Sequence, residues 1–246
     1  MLVAAGLAVI AGLAWAYTVR MASEAADMAS MADMAMPAAM AWGAVDLLAV
    51  LVMWVVMMTA MMVPSAVPMV LVYAALQRQR ASGVDHLSTA LFVAGYLALW
   101  AAFSVLATLG QGALNSWTGA PGGMIEVERP LGAAILVLAG LYQFTRLKRV
   151  CLAHCRGPLE FIFKQWRPGR AGAFAMGARH GAYCVGCCWP LMLLLFLAGV
   201  MNLLWIAALS TFVLGEKLLP GGEWYGRIGG TVAVVSGILL LVPMFR

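Results

Sequence analysis

The sequence predicts an all-α protein, a polytopic transmembrane helix bundle, and this prediction rests on its composition and its apolar runs. Of the 246 residues, 64% are hydrophobic and 10% are charged, and the mean hydropathy is +0.95. Soluble domains contain about 25% charged residues, so the composition excludes an ordinary soluble domain. A helix needs about 20 apolar residues to cross a bilayer. Seven runs approach or exceed that length: 2–19, 44–76, 88–110, 130–145, 172–201, 203–219 and 226–245. We therefore expect about seven spans, or six if the first run is cleaved.

The N-terminal part of the chain divides into two elements ahead of the main bundle. Residues 1–19 are expected to form a first membrane helix, and we favour an uncleaved helix because a basic n-region is missing. Residues 20–43 are a methionine-rich outer loop, which is either a copper-collecting arm, a disordered linker or a weak amphipathic helix. Residues 44–246 then form a metal-binding membrane helix bundle.

The charged residues predict the orientation of the bundle. The segment 146–179 holds eight Lys or Arg residues against one acid, and Arg78 and Arg80 lie in the turn 77–87. By the positive-inside rule, loops 77–87 and 146–171 are cytoplasmic and the acidic loop 20–43 is periplasmic, in a bacterial inner membrane. The net charge of +5 then reflects membrane topology, and the lipid bilayer is the expected partner. We expect no nucleic-acid partner, because the basic residues form one juxtamembrane segment without a recognisable binding module.

Sulfur and imidazole groups are concentrated in one apolar segment. On a helix they share one face, which holds His180, Cys184, Cys187, Cys188 and Met192. Soft sulfur ligands select Cu(I), Zn(II) or iron–sulfur clusters. Gly177, Gly181 and Gly186 would let another helix approach, and Pro190 leaves the Gly186 carbonyl without its helical donor. Two alternatives stay open, namely thiols that pack as small apolar side chains and dithiol redox chemistry at Cys184-x-x-Cys187.

A second helix carries methionines in two neighbouring stripes, which are Met53, Met57 and Met61 and, beside them, Met58 and Met62. Pro64 and Pro68 follow and remove helical hydrogen bonds. Thioethers bind Cu(I) well and Zn(II) poorly, so these stripes favour copper, with zinc as the alternative. Core packing is the other interpretation, since methionine commonly fills gaps.

Two further groups are candidates. Cys151, His154 and Cys155 follow a run of cations and are either metal ligands, incidental residues of a loop or a palmitoylation site. Glu216 and Lys217 are charges at the end of an apolar run, where ionisable residues are functional candidates by default. The alternative is a neighbouring ion pair at the membrane interface, with the Lys217 side chain reaching out to water.

Together these segments resemble an uncharacterised bacterial family of predicted metal-binding integral membrane proteins. The resemblance covers about residues 42–220 and depends on four motifs: Trp54 to Pro64 with its Met-Met pairs, Cys151 to Pro158, Gly181 to Met192 with Gly-Cys-Cys-Trp, and Glu216-Lys217. It implies metal binding in a membrane. It also implies a small soluble partner, since members often occur beside one.

The function most consistent with these residues is the handling of Cu(I) in acquisition, transfer or homeostasis. The chain contains no Gly-x-Ser-x-Gly, P-loop or His-Glu-x-x-His motif, so no catalytic residue is assigned and an ATP-driven pump is excluded. Two alternatives are a transmembrane thiol–disulfide electron carrier and a non-catalytic subunit of a larger membrane complex. The partner is then either a small soluble metal carrier or that complex.

Overall fold

The described residues of the computed structural model are 2–32, 43–80, 85–118, 129–197 and 199–241. All regular secondary structure in these ranges is helical, which confirms the all-α prediction. The helices in chain order are α1 (Leu2–Ala32), α2 (Ala44–Arg80), α3 (His86–Thr118), α4 (Arg129–Tyr142), α5 (Arg146–Arg156), α6 (Pro158–Gln165), α7 (Gly169–Leu193), α8 (Leu203–Leu218) and α9 (Gly222–Leu241). A 3₁₀ turn at Leu194–Phe196 follows α7.

Four helical segments in the described ranges are long and apolar enough to cross a membrane. They are Leu2–Ala25, Ala44–Gln79, His86–Ser116 and Gly222–Leu241. A fifth would be the pair Pro130–Tyr142 and Arg146–Arg156, whose axes bend by 63°. By length and apolarity, the described helices therefore provide four or five candidate spans, fewer than the seven or so expected. Helix α8 has only 16 residues, and Arg179 and His180 lower the apolarity of α7.

Three segments expected as loops are partly or wholly helical. Helix α1 continues to Ala32, so the first part of the 20–43 tract extends the first helix; Met34, Met36 and Met40 lie outside the described residues. Helix α2 continues to Arg80, and residues 81–84 of the 77–87 turn are outside the description. The 146–171 segment forms two short helices and the start of α7, because Thr145 caps α5 and Pro158 begins α6.

Helices α3 and α7 pack closely along glycines. A Cβ added at Gly177 would overlap the carbonyl oxygen of Phe92, and one added at Gly95 would overlap that of Phe174. At Gly181 an added Cβ would lie 3.0 Å from the backbone carbonyl oxygen of Tyr96. Backbones that approach this closely require residues without a side chain. The structure thus confirms that Gly177 and Gly181 admit a neighbouring helix, and this contact positions the sulfur-rich face of α7.

Helix α2 lies in the centre of the bundle, where it contacts α1, α3, α6 and α8. The side chains of Met57, Met58, Met61 and Met62 are at most 1% exposed. The indole of Trp54 is also buried and donates a hydrogen bond of 2.7 Å to Gln111 Oε1 on α3. Buried polar groups need such partners, so this bond fixes α2 against α3.

Candidate metal-binding site

The three cysteines of α7 lie in the interior of the bundle. Cys184, Cys187 and Cys188 are at most 1% exposed. The sulfurs of Cys187 and Cys188 donate to the Cys184 carbonyl oxygen at 3.1 Å and 3.0 Å. Because these donors lie three and four residues after the acceptor, the helix itself gathers the thiols on one face.

Helix α5 brings the fourth thiol to the same place. The side chain of Cys155 interacts with those of Cys184 and Cys187. The Cys151 sulfur lies 2.8 Å from the position that a Cβ would take at Gly186. Both residues of α5 therefore pack against α7. The five cysteines are free thiols.

Cys184 receives polar contacts from two further helices. Lys217 Nζ of α8 donates to its sulfur at 2.9 Å, and Tyr96 Oη of α3 lies 3.1 Å from the same atom. The ammonium also donates to Ser65 Oγ on α2 at 2.9 Å. Lys217 is 7% exposed, so its charge is largely removed from water. Helices α3 and α8 thus contact the Cys184 sulfur of α7 directly, and α2 contacts the lysine that binds it.

The methionine stripes of α2 belong to the same packed cluster of buried residues as the three thiols of α7, and Met192 belongs to it as well. Carbonyl groups of α2 near the prolines have polar partners. The Met62 oxygen accepts from Tyr96 Oη at 3.1 Å and from Ser65 Oγ at 2.9 Å. Apolar surroundings require such partners for backbone groups. Helix α2 continues through Pro64 and Pro68 without a break.

His180 lies one turn before Cys184 in a box of aromatic rings. Its ring centroid is 5.5 Å from that of Tyr96 and 5.5 Å from that of Phe161. His180 is 2% exposed, and its Nδ1 atom has no hydrogen-bond partner among the described residues. This nitrogen is available to a ligand if the ring is neutral.

His154 is positioned differently from His180. Its ring stacks on Tyr183 of α7 with centroids 4.2 Å apart, and its Nδ1 atom lies 2.8 Å from the Val150 carbonyl oxygen. A hydrogen bond at one ring nitrogen fixes the tautomer and leaves the other nitrogen as the candidate ligand atom.

The Gly186 carbonyl oxygen accepts a hydrogen bond from a neighbouring helix. Pro190 supplies no N–H to this oxygen, and the Tyr142 hydroxyl of α4 donates to it at 2.5 Å. The predicted gap in the helical hydrogen bonds is therefore confirmed, and a neighbouring helix fills it. This bond fixes the turn that carries Cys187 and Cys188.

Glu216 and Lys217 do not form the neighbouring ion pair that was one interpretation of the sequence. Glu216 is 1% exposed and pairs with Lys148 of α5 at 2.5 Å. Lys148 Nζ also donates to Gln143 Oε1. The two charges thus point to different partners, one to a lysine and the other to a thiol. Neither side chain reaches out to water.

The end of α8 is held by an arginine. Arg156 donates to the carbonyl oxygens of Glu216 and Leu219 at 3.1 Å and 2.7 Å. The last carbonyls of a helix lack intrahelical donors, and a cation there satisfies them. Because Arg156 adjoins Cys155, this contact ties the thiol-bearing end of α5 to the helix end that carries Lys217.

Sequence reasoning missed Ser65, Tyr96 and Lys148, which contact candidate residues, and Gln143, which contacts Lys148. Only the helix pairing reveals them, since Tyr96 is 88 residues from Cys184. Across the described ranges, no three His, Cys, Asp or Glu side chains surround a common point as metal ligands. The thiols are gathered, but no site with three or more such ligands is already assembled.

The described chain is an all-helical bundle with membrane-length segments and a buried thiol cluster. The family described as PpoB2, copper chaperone, has a model that matches residues 51–240, and the chain belongs to that family. The match includes the cysteines of α5 and α7 and the methionines of α2. No curated protein and no solved structure shows a significant match to the chain.

Proposed function

We propose that this protein is a membrane-embedded copper chaperone that binds Cu(I) as cargo through the thiols of α5 and α7. The observation that carries the proposal is the packing of the partly buried Cys155 of α5 against the buried cluster that contains Cys184 and Cys187 of α7. Thiolates are soft ligands that select Cu(I). Membership of a copper chaperone family supports copper as the metal.

The methionines of α2 and Met192 are proposed to pass Cu(I) to the thiols. Thioethers are uncharged and thiolates are anions, so affinity for a cation rises from Met57 and Met61 to Cys184. Burial of Met58 and Met62 in the same cluster supports a path through the protein interior. Cys151 and His154 on α5 are proposed as the last groups on this route.

We also propose that the chain lies in the bacterial inner membrane with about seven spans. Helices α7 and α8 would be inner spans whose charged groups are neutralised within the bundle, as the Lys148–Glu216 pair illustrates. The basic segment 146–171 and the turn 77–87 would face the cytoplasm, and the tract 20–43 the periplasm. The bilayer and a small soluble copper carrier would be the partners.

The test is copper binding by the intact protein, purified in detergent without oxygen and loaded with Cu(I). Wild type is compared with Cys184→Ser/Cys187→Ser/Cys188→Ser and, separately, with Cys155→Ser. We expect about one copper per chain in wild type, none in the triple variant and weaker binding in Cys155→Ser, because thiolates are the strongest ligands present.

Met69→Leu is the matched control for Met61→Leu. Met69 is also a buried methionine of α2, but it packs in a separate cluster with Tyr73 and Phe92. Met61→Leu should slow copper loading, whereas Met69→Leu should leave it unchanged. Absence of copper from wild type at saturating Cu(I), or full binding by the triple variant, would refute the proposal.

A second candidate function is thiol–disulfide exchange, which is favoured by the contact of Cys155 with thiols of another helix. Oxidation of two of these thiols would form one disulfide and pass two electrons and two protons to a quinone or a partner disulfide. Cys155→Ser would then trap a mixed disulfide between Cys184 and that partner, because the thiol that resolves it is missing. Copper-free protein that accumulates a Cys155–Cys184 disulfide during turnover would favour this function.

A further inference from the structure

The buried ammonium of Lys217 has no carboxylate partner among the described residues. The only buried salt bridge in these ranges joins Lys148 to Glu216. Lys217 instead donates to a hydroxyl and to the sulfur of Cys184. A buried charge is costly unless it is paired, and Cys184 as a thiolate is the anion that the geometry provides.

The charge of a bound metal then decides which complex fits. Cu(I) on two thiolates is an anion of charge −1, and burying that anion alone would be costly. With the Lys217 ammonium beside it, the assembly is neutral. Zn(II) on the same two thiolates is already neutral, so the ammonium would leave an uncompensated positive charge in the interior.

The number of ligands leads to the same conclusion. Zn(II) in structural sites takes four ligands in a tetrahedron, whereas Cu(I) is stable on two thiolates. In the described part of the chain, no three His, Cys, Asp or Glu side chains surround a common point. Thiols do meet across helices, since Cys155 of α5 packs against the buried cluster that contains Cys184 of α7.

We propose that Lys217 determines metal specificity, since its fixed positive charge makes the Cys155–Cys184 pair a site for one monovalent soft cation and disfavours Zn(II). This inference rests on the proposed copper function and adds the coordination and the selecting residue. Binding releases the thiol proton of Cys155 to solvent as two copper–sulfur bonds form, because Cys184 is already a thiolate beside Lys217; copper stays as Cu(I). Lys217 is a positioning residue that contacts the sulfur of Cys184.

The test is competition between Cu(I) and Zn(II) for the full-length protein in detergent without oxygen, with a soluble chelator of each metal as reference. Lys217→Met removes the charge and keeps an apolar side chain of similar length. We expect its affinity for Cu(I) to fall on the order of 100-fold, as when a buried ion pair loses one partner. Its affinity for Zn(II) should rise at the same time. Lys217→Arg keeps the charge and should keep the preference for Cu(I).

Lys148→Met/Glu216→Gln is the matched control, because it removes a buried lysine together with its partner and leaves Lys217 in place. It should retain the metal preference of wild type. Two results would overturn the inference. One is that Lys217→Met and this control lose affinity for Cu(I) and for Zn(II) to the same extent; the other is that Lys217→Met keeps the Cu(I) affinity of wild type. If Lys217→Met does not fold, a Lys217→Arg protein that prefers Zn(II) would overturn it equally. A wild type that binds no copper would refute the proposed function itself.

Discussion

The hydroxyl of Tyr142 donates a hydrogen bond to the carbonyl oxygen of Gly186. Pro190 leaves this oxygen without its usual helical donor, so a side chain of α4 replaces a backbone group of α7. The bond lies one residue before Cys187. The packing of α4 therefore helps to set where two of the thiols point.

Tyr142→Phe should destabilise the protein by about 1–3 kcal/mol, because it leaves the partly buried Gly186 carbonyl without a hydrogen-bond partner. Thermal unfolding in detergent measures the change. Pro190→Ala offers a backbone N–H to the same oxygen, so Tyr142→Phe should cost much less in that background. Equal costs in the two backgrounds would show that the hydroxyl does not act through Gly186.

Gly177→Ala should prevent α3 and α7 from packing, since an added Cβ would overlap the Phe92 carbonyl oxygen. Backbone must move to make room, and overpacking of this kind costs at least about 1–3 kcal/mol. We expect loss of monodisperse protein in size-exclusion chromatography. Gly12→Ala is the control, because no atom lies within 4 Å of its added Cβ; there alanine should be neutral or stabilising.

Glu216→Gln should destabilise the bundle by about 3–5 kcal/mol, because it leaves the buried Lys148 ammonium without its counter-charge. The double variant Lys148→Met/Glu216→Gln should recover much of that loss. Glu160→Gln serves as a control, since it breaks the exposed pair with Lys164 and should have no measurable effect. A double variant less stable than Glu216→Gln would contradict this prediction.

The N-terminus of α3 should weaken in acid. Hydrogen bonds from Ser88 Oγ, Ser88 N and Leu87 N hold the pKa of Asp85 below its usual value. A carboxyl whose pKa is lowered by folding stabilises the folded state at pH values above its pKa in the unfolded chain, about 3.9. That stabilisation is lost as the pH falls through the lower pKa of the folded state. The unfolding temperature should therefore decline below about pH 4. Asp85→Asn should flatten this decline, and an unchanged acid profile would contradict the assignment.

Local periodicity was sufficient to predict the thiol face of α7 and its close packing. Cys184 and Cys188 are one turn apart on any helix, and Gly177 and Gly181 lie on the side that meets α3. The free oxygen of Gly186 also followed from Pro190 alone. These features depend on helix geometry within a few residues, which sequence spacing encodes directly.

Contacts between distant helices were not predictable in the same way. Cys155 was expected on a separate cytoplasmic loop, yet α5 folds back against α7 and brings it to Cys184. Lys217 meets a sulfur 33 residues away, and Glu216 meets a lysine 68 residues away. Spacing cannot encode such partners, because they depend on which helices pack together.

The depth of the thiols has a kinetic consequence. Cys184, Cys187 and Cys188 are at most 1% exposed, so a soluble acceptor cannot touch their sulfur atoms while α5 and α7 remain packed. Under the proposed function, an ion held by these three sulfurs would leave either through the partly buried Cys155 or after the two helices separate. A docking partner that contacts or displaces α5 would then control when the ion leaves.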